Sequence, residues 1–106
     1  MNQIKFTYNW NNKLHCKAFT TLRLHNDKYV VGQAYEIYLK NGKEWTFKGT
    51  AELKAKRTFK KSRINEFIAF LDTGYSSGKC QEIIGKMYNR LPDPDPQMDL
   101  CLLVYK

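Results

Sequence analysis

Three short stretches carry the side chains that could do chemistry. The first is Lys17-Ala18-Phe19-Thr20-Thr21-Leu22-Arg23, a lysine, two hydroxyls and an arginine at the start of a β-prone run. In an extended chain alternate residues share a face, so Phe19, Thr21 and Arg23 point one way and Thr20, Leu22 and Leu24 the other. The leucines need burial. Thr21 and Arg23 then either share a polar cleft, where lysine and arginine suit a phosphate or a carbonyl group, or simply face solvent. The second stretch is Asp72-Thr73-Gly74-Tyr75-Ser76. It reads as a helix stop at Gly74 with Ser76 capping the next helix. It also reads as a carboxylate, an aromatic and two hydroxyls at a helix N-terminus, which favours anions. The third is Lys54 to Arg63, where six of ten residues are basic: Lys54, Lys56, Arg57, Lys60, Lys61 and Arg63. Phe59 interrupts this patch and either stacks on a base or turns into the core.

The chemistry these residues could perform is narrow. Lysine works as a base or nucleophile when burial or neighbours lower its pKa, and a carboxylate can orient it or a water. The catalytic candidates are therefore Lys17, Thr20, Thr21 and Asp72. The ligand-binding candidates are Arg23, Tyr75, Ser76 and the six basic residues of the third stretch. Tyr29, Tyr35, Tyr38 and Trp45 are more aromatics than one small core would take, and base stacking is one use for those left exposed. The chain has no P-loop, no GxSxG, no HExxH and no glycine-rich dinucleotide fingerprint. Cys16, Cys80 and Cys101 are odd in number and widely spaced, and neither His15 nor His25 stands at zinc-ligand spacing from a cysteine pair. No metal and no cofactor are expected.

The elements that must position these groups follow from periodicity. Ile4, Phe6, Tyr8 and Trp10 alternate with polar residues and predict a strand, ended by Asn11-Asn12. Leu14 to Lys17 is a turn or a single helical turn. Phe19 to His25 is a second strand and Ala34 to Lys40 a third. Asn41-Gly42 marks a hairpin. Trp45 to Lys56 is one long strand with Gly49 as its natural bulge. The period then changes to 3.6. Ile64, Phe67, Ile68 and Leu71 form the stripe of a helix capped by Ser62, and Cys80, Ile83, Ile84, Met87 and Tyr88 that of a second helix. Pro92 to Pro96 is a stiff exposed loop. Leu100 to Tyr105 is a buried last strand. Strands, then helices, then a returning strand predict an α+β fold in which the last strand closes a small twisted barrel of five or six strands.

Size and charge agree with this. The chain of 106 residues suits one domain spanning 1–106, and 42% hydrophobic residues are enough for one core. A formal charge of +8 favours polyanions such as RNA or phosphorylated ligands. No apolar run is long enough for a membrane helix, so no membrane partner is expected. Residues 1–5 lack the apolar core of a signal peptide, and the cytoplasm is the expected compartment.

In order and in scattered residues the chain resembles the ASCH domain family of the PUA-like superfamily. The residues that carry the resemblance are Lys17, Thr20 or Thr21, and Arg23 entering a strand; Val31-Gly32-Gln33; the long strand Trp45 to Lys56; Asp72; Met87-Tyr88; and the final apolar strand. The family pattern Lys-x-x-Thr-x-Arg is met by Lys17 with Thr20 and by Thr21 with Arg23, so either threonine could hold the role. The resemblance implies a β-barrel with a basic cleft between barrel and helices that binds RNA, a nucleoside or a nucleotide. Some small ASCH proteins are similar to amidohydrolases that remove an acyl group from a modified cytidine. Carried over, that activity would rest on Lys17, Thr20 or Thr21, and Asp72.

Overall fold

The computed structural model describes residues 2–106 as a five-stranded mixed sheet with two helices. The strands are β1 (Asn2–Phe6), β2 (Ala18–Leu24), β3 (Ala34–Asn41), β4 (Glu44–Lys60) and β5 (Gln97–Tyr105); the helices are α1 (Glu66–Thr73) and α2 (Ser77–Met87). Their order across the sheet is β1-β3-β4-β5-β2. β1 runs parallel to β3 and every other pair is antiparallel.

The α+β expectation holds, and the closed barrel does not. The last strand lies inside the sheet between β4 and β2, which leaves β1 and β2 as two free edges. Among the described residues the two edges share no strand ladder, and across them the Phe6 and Phe19 rings lie edge to face with centroids 6.1 Å apart. The chain between them crosses the gap as a 3-10 turn at Trp10–His15.

Two apolar clusters occupy opposite faces. Ile4, Phe6, Phe19, Tyr35, Ile37, Ala51, Leu53, Cys101 and Leu103 fill one. Ile64, Ala69, Cys80, Ile84 and Met98 join the helices to the other, with Leu22 and Leu24 packed against them. Alternation along β2 produces this split, since its odd and even residues belong to different cores.

Several elements depart from the sequence expectation. β1 stops at Phe6, so Tyr8 and Trp10 leave the strand pattern. The hairpin loop is Gly42-Lys43, because Asn41 already pairs with Glu44. β4 continues to Lys60 and absorbs most of the basic stretch. The Gly49 bulge is present: the β3–β4 register shifts between Ile37 and Tyr38, opposite Gly49 and Phe47. Asn65, not Ser62, caps α1, accepting a hydrogen bond from Ile68 N. The expected stripe of α1 splits: Ile64 and Ile68 pack into the helix-side core beside buried Ala69 and Asp72, while Phe67 and Leu71 are 75% and 58% exposed.

Candidate functional site

The turn between β1 and β2 builds the site. Asn11 and Asn12 both adopt φ of 56°, a left-handed conformation that asparagine tolerates better than most residues. Two such residues in succession reverse the chain and carry Lys13 inward. Asn9 Oδ1 accepts a hydrogen bond from Leu14 N at 3.0 Å and secures the turn. Gly74, with φ of 79°, ends α1 and has the Asn11 side chain against it, where a Cβ would stand 3.3 Å from Asn11 Oδ1. The turn and the C-terminus of α1 are therefore packed together.

That packing brings Lys13 to Asp72. Lys13 Nζ lies 2.9 Å from Asp72 Oδ1, and the two side chains are only 6% and 5% exposed. Thr20 donates to the same oxygen at 2.8 Å. Burial pushes the Lys13 ammonium below its usual 10.5, and the Asp72 carboxylate opposes part of that fall.

Arg23 stands beside the pair. Its Nε donates to Thr21 Oγ1 at 3.0 Å, and its guanidinium carbon sits 4.4 Å from the centre of the Phe6 ring. Among the described residues its terminal nitrogens make no hydrogen bond. An arginine held by one nitrogen and one ring face keeps a planar fork of donors for a carbonyl or phosphate oxygen.

These groups line a pocket of about 170 Å³. Its polar wall includes Lys5, Lys13, Thr21, Arg23 and Asp72; its apolar wall includes Phe6, Trp10, the α2 residues Ile83, Ile84 and Met87, and Tyr88 at the C-cap of α2. The pocket sits at the free edge of β2. Lys17 O accepts from Tyr105 N, and His25 N donates to Gln97 O, so the odd residues of β2 face β5. By antiparallel alternation the backbone groups of Leu22 point to the open edge. Cys80 also lines the pocket. Burial, and next the Asp72 charge, raise its thiol pKa, which keeps it a thiol at neutral pH rather than a nucleophilic thiolate.

The sequence candidates separate in space. Thr21, Arg23 and Asp72 meet in the pocket, and Thr20 supports Asp72 from outside its lining. Lys17 is exposed at the entry to β2 and makes no side-chain hydrogen bond among the described residues; Lys13 is the lysine on Asp72. Tyr75 is exposed and Ser76 caps α2. The basic stretch lies elsewhere, along β4 and the short turn after it. There Lys54 pairs with Glu52, while Lys56 donates to Tyr29 O at 2.9 Å. Arg57, Lys60 and Arg63 are exposed, Lys61 is half-buried, and none of the four lines the pocket. Tyr29 and Tyr35 are buried, and Phe59 packs against the helix-side core, so these rings are not free to stack. The residues the sequence reading passed over are Lys13, Phe6 and Trp10. The tandem asparagines before Lys13 were the available signal.

A second polar centre is structural. Asp99 is fully buried and accepts from Thr58 Oγ1 at 2.6 Å and Asn26 N at 3.0 Å, with His25 Nδ1 at 2.9 Å and Lys56 Nζ at 3.6 Å. It ties β4, β5 and the segment after β2 together.

Comparison with models of known protein families, with curated proteins and with solved structures returned no match. Among the described residues no helix is long and apolar enough to cross a membrane, and no cluster of three or more His, Cys, Asp or Glu could hold a metal ion.

Proposed function

We propose that this chain is an ASCH-like, PUA-like domain that binds RNA, or a nucleoside or nucleotide, in the pocket between the β2 edge, the Trp10–His15 turn and α2. The observation that carries this reading is Arg23. It is fixed by Thr21 and Phe6, and its free donors stand beside the Lys13–Asp72 pair on a wall that faces apolar and aromatic side chains. A base or sugar needs such an apolar wall, and a phosphate or ring carbonyl needs such a fork. The formal charge of +8 adds a long-range attraction for phosphates. Binding of ribonucleotides and short RNAs, followed by calorimetry, tests it: Arg23→Ala should abolish binding while the melting temperature holds. Unchanged affinity in that variant would remove the pocket from the account.

One observation favours a second reading, an amidohydrolase acting on an acylated cytidine. A lysine, a threonine hydroxyl and a carboxylate do share one oxygen, but the lysine is Lys13 rather than Lys17. A buried lysine with a lowered pKa is closer to the free base that proton transfer needs. Turnover of N4-acetylcytidine that vanishes in Lys13→Ala, at a temperature where circular dichroism shows that variant folded, and persists in Lys17→Ala would establish the enzyme. Absence of turnover in the parent protein would end this reading.

A further inference from the structure

The pocket, at about 170 Å³, has room for one base-sized group, and aromatic side chains continue beyond its rim. Trp10 belongs to the pocket wall. Its ring centroid lies 4.7 Å from that of Tyr8 and 6.0 Å from that of Tyr75. Tyr8 is 57% exposed and Tyr75 41% exposed. Tyr8 comes from the segment leaving β1, and Tyr75 from the loop between α1 and α2. Tyr8 and Trp10 meet locally, two residues apart, and tertiary packing adds Tyr75 beside the Gly74–Asn11 contact. Two exposed tyrosines against a half-buried Trp10, next to cationic side chains, match the way single strands are held: bases stack on the rings while cations face the phosphates. Lys5, which lines the pocket, and Arg23 supply charge of the required sign.

We infer that Tyr8, Trp10 and Tyr75 form a stacking ledge for the nucleotides flanking the one in the pocket, so that the ligand is a single-stranded oligonucleotide rather than a free nucleotide. This rests on the pocket reading above and goes further, to the length and strandedness of the ligand.

The test uses the full chain in a Trp45→Phe background, which leaves Trp10 as the only tryptophan of the two. Trp10 fluorescence is titrated with the four ribonucleoside monophosphates and with a mixed-sequence ribohexamer. The hexamer should bind about tenfold or more tightly than the best mononucleotide and quench Trp10 further, as stacking on exposed rings requires. Tyr8→Ala with Tyr75→Ala should cost the hexamer about tenfold or more and leave mononucleotide binding as it was. If mononucleotides bind but the hexamer gains nothing over them, or the double variant binds it as tightly as the parent, the ledge is wrong and the pocket stands. If neither ligand binds the parent, the pocket reading falls and the ledge with it. The parent's hexamer-to-mononucleotide ratio is informative even where the double variant folds poorly.

Discussion

Lys13 and Asp72 are 59 residues apart in sequence and share a 2.9 Å ion pair almost out of solvent. Removing one partner strands a buried charge, which costs about 3–5 kcal/mol, whereas replacing both with apolar groups of similar size is often neutral. Lys13→Ala and Asp72→Ala should each lower stability by about that amount. Lys13→Met combined with Asp72→Leu should recover most of it. Urea unfolding of the four proteins gives the coupling energy directly. Additive losses would mean that the pair is not coupled in solution.

The two lysines near the first threonine differ sharply. Lys17→Ala should leave ligand affinity and melting temperature at parental values, since its side chain is exposed and unpaired among the described residues. Arg23→Ala should abolish ribonucleotide binding. With an oligonucleotide, the logarithm of affinity should fall linearly with the logarithm of salt, at about 0.7 per phosphate contact. An affinity indifferent to salt would mean that phosphates are not bound.

Acid stability should report Asp99. Burial by itself would raise its carboxyl pKa. The hydrogen bonds from Thr58, His25 and Asn26 N, with Lys56 nearby, outweigh burial and hold it below 3.8. A depressed folded pKa contributes stability that is present above the unfolded value and lost as pH falls through the folded one. Asp99→Asn should therefore cost about 2 kcal/mol at neutral pH. Its deficit against the parent should shrink only as pH drops below 3.8. A deficit that stays constant from pH 7 to pH 2 would place the effect in packing instead.

The bulge in β4 yields a pair of substitutions with opposite signs. Gly49 has φ of 144°, and a Cβ there would stand 3.1 Å from two atoms of the Tyr105 ring. Gly49→Ala should destabilise by about 2 kcal/mol through strained backbone and that contact together. The Tyr105 hydroxyl is buried and has no hydrogen-bond partner among the described residues. Tyr105→Phe removes an unsatisfied group and should be neutral or stabilising by about 1 kcal/mol. Thermal unfolding of both variants checks the two directions.

Much of the fold could be read from local rules. Alternation located β3 and β4, Gly49 marked the bulge, and Gly74 and Ser76 marked the junction between the helices. Each depends on neighbours a few residues away, where periodicity and backbone preference act. The carboxylate of the site, its arginine and its threonines were likewise visible as residue types.

Packing settled the rest. β5 is an apolar strand whether it closes a barrel or sits inside a sheet; its pairing with both β4 and β2 is a long-range matter. The stripe Ile64, Phe67, Ile68 and Leu71 is only half used: Ile64 and Ile68 dock, but Phe67 and Leu71 stay exposed, because Ala69 allows close approach and the Asp72 carboxylate is held by Lys13 and Thr20. No spacing rule selects Lys13 over Lys17. The choice depends on two left-handed asparagines and a glycine from another element, and that approach exists only once the chain has folded.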